Sequence, residues 1–322
     1  MFNLFQRWLP VASTAVLFAA PLHAATMAYV PNQKSGTVSV IDTATDTVVR
    51  TLSGHGAFGD RLQEVEIDPH GKVLYVVDAS NNKVFAVDTA SDKVLHSSPI
   101  GSEAEGISLS PDGSRIAVCD EGKNAVLLFD AKTLAPEGTI KVSGEDPEHC
   151  VFAPGGKLLL TSNEGSNNLD VVDLKAGRSV GVIATSGHPR GMAFVPGTMK
   201  VYVAQETAGG VDLVDVGARR KVASIPTGLR AAGVAISRDG KRLYVANGGA
   251  GTVSAIDVAT DKVVGTVKVG QRPWNPALTP DGKKLYVANG RSNNVSVIDT
   301  ATMKVVKEIP VGKLPWGVVI GR

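Results

Sequence analysis

The sequence predicts an all-β protein, a seven-bladed β-propeller of four-stranded antiparallel blades, and three observations support this. An apolar residue followed by Asp, a turn and a β-branched strand recurs with gaps of 46, 42, 43, 42, 42 and 42 residues. A Pro-Asp-Gly-like turn recurs with gaps of 42 or 43 residues. Short strand-like segments fill each interval. The repeated aspartates are Asp42, Asp88, Asp130, Asp173, Asp215, Asp257 and Asp299, and the turns begin at Pro69, Pro111, Pro154, Pro196, Arg238 and Pro280. Two independent series with one period indicate a repeated structural unit.

One complete unit spans residues 276–310. It reads as a first strand at 276–279, a tight Pro-Asp-Gly turn, and a second strand at 284–289. A polar loop leads to a third strand at 294–299 and a fourth at 304–310. Four strands joined by hairpins make one antiparallel sheet, which cannot bury both of its faces alone. Seven such sheets therefore stack around a central channel.

The two ends of the repeat region complement each other. The repeats begin with a second strand at 27–31 and finish with an unpaired first strand at 315–320. We predict that these segments share one blade, so that the ring closes and leaves no partial sheet exposed. The predicted propeller spans residues 25–322. Residues 1–24 contain one positive charge at Arg7, an apolar stretch and then small residues, which is typical of a signal peptide. The expected location is the periplasm.

Composition and cysteine usage narrow the function. The formal net charge is +2, of which Arg7 supplies one, and aromatic residues make up 5% of the chain. A near-neutral propeller offers no broad basic field for nucleic acid. The two cysteines, Cys119 and Cys150, lie outside any Cys-x-x-Cys-His motif, which excludes covalent c-type haem. An oxidising compartment permits a disulfide between them, whereas their apolar positions on adjacent blades fit buried free thiols.

Strand direction alternates, so the loops divide between two faces of the disc. The uniform face carries the Pro-Asp-Gly and Asp turns, and we expect each repeated Asp to cap its own turn. The variable face carries the loops after the second strands and the interblade loops, whose sequences differ from blade to blade. The interblade loops are 54–62, 101–105, 144–149, 187–190, 228–232, 270–275 and 312–316. The first holds four extra residues and several glycines, which favours a mobile flap.

Candidate binding residues lie on the variable face. Acidic residues concentrate in the second and third interblade loops and basic residues in later ones, which predicts an acidic rim opposite a basic rim. The residues that end the second strands predict a polar ring near the channel mouth, either a cation or polar-ligand site or a hydrated opening. Two tryptophans at equivalent positions suit partner anchoring or packing. The ring comprises Asn32, Asp78, Asp120, Asn163, Gln205, Asn247 and Asn289. The candidate ligand- or partner-binding residues are Arg61, Asp78, Glu105, Asp120, Glu121, Glu148, His149, Glu164, His188, Arg190, Glu206, Arg230, Arg272, Trp274 and Trp316. No catalytic or metal-binding residue and no cofactor is predicted.

Several phrases resemble the YVTN family of β-propeller repeats over essentially the whole propeller region. They are Leu-Tyr-Val-Ala-Asn at 285–289, Val-Ser-Val-Ile-Asp-Thr-Ala-Thr at 295–302 and Ser-Pro-Asp-Gly at 110–113. Other phrases are similar to the exported branch associated with PQQ-dependent catabolism. They are Asp-Pro-Glu-His at 146–149, His-Pro-Arg-Gly-Met-Ala at 188–193, Asn-Gly-Arg-Ser-Asn-Asn-Val-Ser-Val-Ile-Asp at 289–299 and Lys-Leu-Pro-Trp-Gly-Val-Val at 313–319. The resemblance implies a propeller at the periplasm or cell surface, and no uniform enzyme activity.

Three functions remain open. The leading hypothesis is a non-catalytic binding or scaffold protein whose partner is a small molecule or a protein, such as a quinoprotein dehydrogenase or cytochrome c. A lactonase-like hydrolase is the second, with Glu148, His149, His188 and Arg190 as its site. No Gly-x-Ser-x-Gly elbow or phosphate-binding Gly-Lys-Ser/Thr loop occurs in the sequence. DNA binding is the third, and the near-neutral charge argues against it.

Overall fold

The computed structural model describes residues 26–321, so the predicted signal peptide lies outside the described residues. Within this range the chain forms seven four-stranded antiparallel sheets arranged as the blades of a propeller. Two single-turn 3-10 helices, Gln33–Ser35 and Glu121–Lys123, follow second strands in two of the blades. No helix in residues 26–321 is long and apolar enough to cross a membrane.

In each blade the strands run in order from the channel, which the first strand lines, to the outer edge of the disc. Blade 1 contains β28 (Val319–Ile320), β1 (Met27–Asn32), β2 (Thr37–Asp42) and β3 (Thr47–Leu52). Blade 2 contains β4 (Leu62–Ile67), β5 (Val73–Asp78), β6 (Lys83–Asp88) and β7 (Val94–Pro99). Blade 3 contains β8 (Ala104–Leu109), β9 (Arg115–Asp120), β10 (Ala125–Asp130) and β11 (Pro136–Lys141). Blade 4 contains β12 (Pro147–Phe152), β13 (Leu158–Asn163), β14 (Asn168–Asp173) and β15 (Arg178–Ala184). Blade 5 contains β16 (Pro189–Phe194), β17 (Lys200–Gln205), β18 (Gly210–Asp215) and β19 (Arg220–Pro226). Blade 6 contains β20 (Ala231–Ile236), β21 (Arg242–Asn247), β22 (Thr252–Asp257) and β23 (Lys262–Lys268). Blade 7 contains β24 (Pro273–Leu278), β25 (Lys284–Asn289), β26 (Asn294–Asp299) and β27 (Lys304–Pro310).

The ring closes as predicted. Strand β28 pairs with β1, with Tyr29 opposite Val319 and Ala28 opposite Ile320. Pro315 adds an antiparallel bridge to Asn32 ahead of β28. One blade is thus built from both ends of the described chain, and neither partial sheet keeps an unpaired inner edge.

The apolar core is divided into seven layers. Buried apolar residues form seven clusters, and each lies between two neighbouring blades. Second strands are buried on both sides, so they read as continuous apolar runs such as Leu-Tyr-Val-Ala at 285–288. Fourth strands face solvent at the disc edge and are mostly exposed. Packing between blades, rather than within one sheet, therefore holds the fold together.

The uniform face is built from the turns that the repeat predicted. All seven repeated aspartates accept a backbone N–H from their own turn, as between Asp88 and Ser91 at 2.7 Å. The hydrogen bonds from Ser91 lower the pKa of Asp88. Tyrosines of the second strands tie neighbouring blades together on this side, as where Tyr202 Oη donates to Asp261 at 2.6 Å. The expected turn-capping role is confirmed.

The polar residues that end the second strands lie inside the blades rather than around the channel mouth. Asp78 is fully buried and accepts hydrogen bonds from the backbone of Gly59, Ser80 and Asn81. Asp120 is buried and forms an ion pair with Lys123 at 2.8 Å. The interblade loop crosses directly over these side chains at a glycine, as Gly101 crosses Asp120. The predicted polar ring, offered as either a ligand site or a hydrated opening, therefore does not lie at the channel mouth, because the loop above covers these residues.

Two further expectations concern the first interblade loop and the cysteines. The loop is anchored, because Asp92 accepts hydrogen bonds from Ser53 and Gly54, and Phe58 packs on Phe85 with ring centroids 5.6 Å apart. These contacts do not favour a free flap. Cys119 and Cys150 are both free and buried in one apolar cluster between blades 3 and 4. The structure therefore shows the buried-thiol alternative and no disulfide.

Candidate functional site

The channel mouth on the variable face is formed by the second residue of each first strand. We call these residues the mouth ring. It consists of Gln63 in β4, Glu105 in β8, Glu148 in β12, Arg190 in β16, Ala232 in β20 and Trp274 in β24, together with Trp316, which precedes β28 at the equivalent place. Most of these side chains are buried although they lie at the end of the channel. The ring therefore fills the mouth instead of leaving an open pore.

Arg190 is the centre of the charged part of this ring. It is 7% exposed, and its guanidinium contacts the carboxylates of Glu148 and Glu206. Glu164 lies 3.5 Å away. A buried cation of this kind is stable only when carboxylates surround it closely.

Glu206 is shared by three arginines. Besides Arg190, it accepts a hydrogen bond from Arg230 at 2.6 Å and from Arg272 at 3.1 Å. Burial opposes its ionisation, but the three guanidinium groups outweigh burial and lower the pKa of Glu206 to about 2. Glu206 is thus a permanent anion that fixes the positions of its arginines.

Glu148 and Glu164 differ in protonation. Complete burial raises the pKa of Glu148 well above its ordinary value, and the nearby carboxylates of Glu105 and Glu164 add to this. Burial also opposes ionisation of Glu164, but a hydrogen bond with Glu148 and the charges of Arg190 and His188 lower the pKa of Glu164. Burial therefore favours the protonated form of Glu148 against the opposing charge of Arg190, whereas the surrounding cations favour the ionised form of Glu164.

Aromatic side chains complete the opposite arc of the mouth ring. Trp274 and Trp316 stack with centroids 5.5 Å apart and an interplanar angle of 13°. The guanidinium groups of Arg272 and Arg190 lie 4.4 and 5.1 Å from the Trp274 ring centroid. The predicted tryptophan pair thus packs with the arginines instead of projecting freely towards a partner.

His149 lies one layer deeper. Its Nδ1 is 3.4 Å from Glu64 Oε2, its Nε2 is 3.7 Å from Glu148 Oε1, and its ring packs on Trp316. Below it is a cavity of about 170 Å³ that first-strand residues of all seven blades line. The histidine thus separates the mouth ring from the channel interior.

A second region of the variable face carries carboxylates without counter-charges. We call Glu103, Glu105, Glu121, Glu145 and Asp146 the acidic sector. Across residues 26–321, none of these five lies within ion-pair distance of Lys, Arg or His. Burial, together with the charges of Glu105, Glu164 and Asp146, raises the pKa of Glu121 to about 8. At Glu121, burial and the neighbouring negative charges both oppose ionisation.

The charges around the one candidate group of metal ligands in residues 26–321 do not favour a metal ion. Glu164, His188 and Glu206 could offer ligand atoms within 4.8 Å of one another. However, Glu206 is already bound by three guanidinium groups, and Glu164 is 2.7 Å from His188 Nδ1 and close to Arg190. A divalent cation at this position would meet a positive field.

The structure brings most of the predicted site residues together but changes their grouping. Between the acidic sector and the basic residues of later loops, Arg190 contacts the carboxylates of Glu148 and Glu206. Arg61 stands apart, exposed, with Nη1 3.3 Å from the Ser102 carbonyl. Gln63 and Glu64 were not predicted, yet Gln63 donates to Glu105 at 2.8 Å and Glu64 contacts His149. Comparing the second residue of every first strand would have found Gln63.

The chain is similar to one protein family and to several solved structures. A family model described as "Lactonase, 7-bladed beta-propeller" matches residues 99–180 and 173–312, more than half of the chain. A chain of Kuenenia stuttgartiensis hydrazine synthase is 26% identical with a TM-score of 0.76, covering 85% of this chain and 92% of that one. A functionally unknown protein from Desulfotomaculum acetoxidans DSM 771 is 15% identical with a TM-score of 0.79, covering 92% of this chain and 99% of that one.

A third solved structure is the dihydro-heme d1 dehydrogenase NirN in complex with DHE. It is 16% identical with a TM-score of 0.69, covering 96% of this chain and 77% of that one. No curated protein matches the chain.

Proposed function

The chain belongs to the seven-bladed β-propeller lactonase family, and we propose that this member works by binding, holding a positively charged partner on the acidic sector of its variable face. The fold alone does not determine the activity, because one fold carries many functions. The proposal rests on which charges the site leaves uncompensated.

The observation that carries the proposal is that, within residues 26–321, no Lys, Arg or His lies within ion-pair distance of the acidic sector. Burial and the neighbouring carboxylates together raise the pKa of Glu121 to about 8. A cationic surface placed there would relieve this repulsion and would release the proton from Glu121. Perturbed carboxyl groups of this kind concentrate at functional sites, and charge complementarity accelerates association with a cationic partner.

The channel mouth supports binding more than hydrolysis. Arg190 is surrounded by carboxylates, and His149 is buried against Glu64, Glu148 and Trp316. Hydrolysis needs a nucleophile or activated water in reach of a base and of a substrate. In the described residues the groups that could do this already bond one another. The mouth ring serves the proposed function as a rigid frame that keeps the acidic sector in place.

The proposed setting is the periplasm, beside an oxidation system. The resemblance to the exported branch associated with PQQ-dependent catabolism supports it, as does the signal-like segment at residues 1–24. A quinoprotein dehydrogenase or a cytochrome c with a lysine-rich surface has the charge that the acidic sector would recognise.

The test compares binding of a basic c-type cytochrome to three proteins at low and physiological ionic strength. The variant Glu103→Gln/Glu145→Gln/Asp146→Asn removes exposed charges of the acidic sector. The control Glu137→Gln/Glu308→Gln removes exposed charges from fourth strands at the disc edge. We expect the first variant to bind about tenfold more weakly, with less salt dependence, and the control to match wild type. Equal affinity in all three proteins, or no binding by wild type, would contradict the proposal.

A second candidate is hydrolysis of a lactone, favoured by His149 lying between Glu64 and Glu148 beside Arg190. The protonated Glu148 could act as an acid and His149 as a base. Turnover of lactones by wild type that is lost in both His149→Ala and Arg190→Ala would establish this candidate. Absence of turnover by wild type, or turnover at the wild-type rate in both variants, would remove these residues from any such mechanism.

A further inference from the structure

A basic pocket of about 380 Å³ opens on the variable face between blades 6 and 7, away from the acidic sector. Its charged and polar walls are Arg230, Lys268, Gln271, Arg272, Arg291 and Ser292, and the loop Gly248–Gly251 forms its remaining side. We propose that this basic pocket binds a small organic dianion, through carboxylate groups or a phosphate ester.

The charge balance of the pocket supports an anionic ligand. Four of its walls are cationic, and no acidic residue of the described chain lines it. Arg230 and Arg272 share a single carboxylate, Glu206, which Arg190 also binds. Lys268 and Arg291 are exposed, and no carboxylate among residues 26–321 lies within ion-pair distance of either. The positive charge therefore exceeds the negative charge by at least two where a ligand would sit.

The arginines are held in place before any ligand arrives. Arg272 lies over the Trp274 ring with its guanidinium carbon 4.4 Å from the centroid, and both of its Nη atoms are 3.1 Å from Glu206. Arg230 uses Nε for Glu206, which leaves its two terminal nitrogens for another acceptor. Fixed donors lower the entropy cost of binding.

The glycine-rich loop keeps the pocket open. A Cβ on Gly248 would lie 3.2 Å from Arg272 Nη1, and one on Gly249 would lie 2.9 Å from Arg230 Cγ. The amides of Gly248 and Gly249 bond the carbonyls of Arg230 and Leu229. The loop therefore packs closely on the arginines and adds no side chain that would fill the space.

These features define the class of ligand. Guanidinium groups match the planar oxygens of carboxylates and the oxygens of phosphate, and lysine adds a point charge. The volume fits a small metabolite rather than a polymer. A dianion would neutralise the charge excess, whereas a neutral molecule would leave it in place. This inference stands apart from the proposed function, because it concerns the basic pocket and not the acidic sector.

The experiment is isothermal titration of the full chain with succinate, glycerol 3-phosphate and glycerol at low ionic strength. We expect at least one of the two dianions to bind and glycerol not to bind. Arg291→Gln and Lys268→Gln should each weaken that binding about tenfold. Lys262→Gln removes an exposed lysine from the other end of the same strand, β23, and should bind as wild type does. The affinity for succinate relative to that for glycerol 3-phosphate shows whether the pocket prefers carboxylate or phosphate groups.

Three outcomes would overturn the inference. They are no binding of either dianion, an equal loss in Lys262→Gln and Arg291→Gln, and full competition by an equal concentration of chloride. Either of the last two would show a general ionic atmosphere instead of a site. Dianion binding without cytochrome binding would support this inference and not the proposed function. Cytochrome binding without dianion binding would support the proposed function and not this inference.

Discussion

Replacing Glu121 by Gln should stabilise the folded protein, and the gain should grow as the pH rises from about 5 to about 9. Burial and neighbouring carboxylates raise the pKa of Glu121 from 4.5 to about 8. Between these values the folded protein keeps a proton that the unfolded chain has lost. Folding is therefore penalised progressively as the pH rises, and the penalty is complete above about pH 8. Gln cannot ionise, so the variant does not incur this pH-dependent penalty on folding.

The size of the effect follows from the two pKa values. Their difference, at about 1.36 kcal/mol for each pH unit, sets an upper limit of about 5 kcal/mol. Glu121 is half-buried at the edge of solvent, so screening reduces this to about 2 kcal/mol. Near pH 5 the free energies of unfolding of the two proteins should agree within about 0.5 kcal/mol.

Urea unfolding at pH 5, 7 and 9 measures this difference. The matched control is Glu308→Gln, an exposed carboxylate on the outer strand β27. A difference between Glu121→Gln and wild type that stays constant with pH would refute the reasoning. So would a rise of the same size in Glu308→Gln, since it would reflect the net charge of the protein instead of local crowding.

Three further predictions concern packing. Arg190→Met should destabilise the protein by about 3–5 kcal/mol in urea unfolding, because it leaves buried carboxylates unpaired. Glu148→Gln should cost about 1 kcal/mol or less. Equal costs of the two substitutions would contradict the preference of Glu148 for its protonated form. Gly101→Ala should cost about 2 kcal/mol because its Cβ would overlap a buried carboxylate, and Gly217→Ala, where an added Cβ has its nearest neighbour at 3.4 Å, should be neutral. Because burial raises the pKa of Cys119, the thiol should react with a thiol reagent only after unfolding, and prompt reaction of the native protein would count against it.

The fold could be predicted from the sequence because it repeats. Seven copies of one pattern fix the strands, the turns and the number of blades, and the incomplete copies at the two ends predict the pairing of β28 with β1. The same comparison identified the capping aspartates. A local pattern suffices for these features since each depends on contacts within one or two blades.

The candidate site was harder, because it depends on side chains from several blades meeting at one point. The sequence placed acidic residues in the second and third interblade loops and basic residues in later ones, but it did not show that Arg190 reaches the carboxylates of blades 4 and 5. The ring at the ends of the second strands was misplaced for a geometric reason. A single crossing glycine, such as Gly101, covers Asp120, and no property of Asp120 in the sequence reveals this.

The pairing of β28 with β1 also has a kinetic meaning. Tyr29 and Val319 face each other in one sheet although almost the whole described chain separates them. Bringing such distant segments together is the slowest kind of contact to form, because the loop between them loses the most freedom. Blades 2 to 7 are each continuous in sequence and can assemble early, while blade 1 must wait. A partly assembled chain would then expose one unfinished sheet edge, and we expect the pairing of β28 with β1 to be among the last steps in forming the native ring.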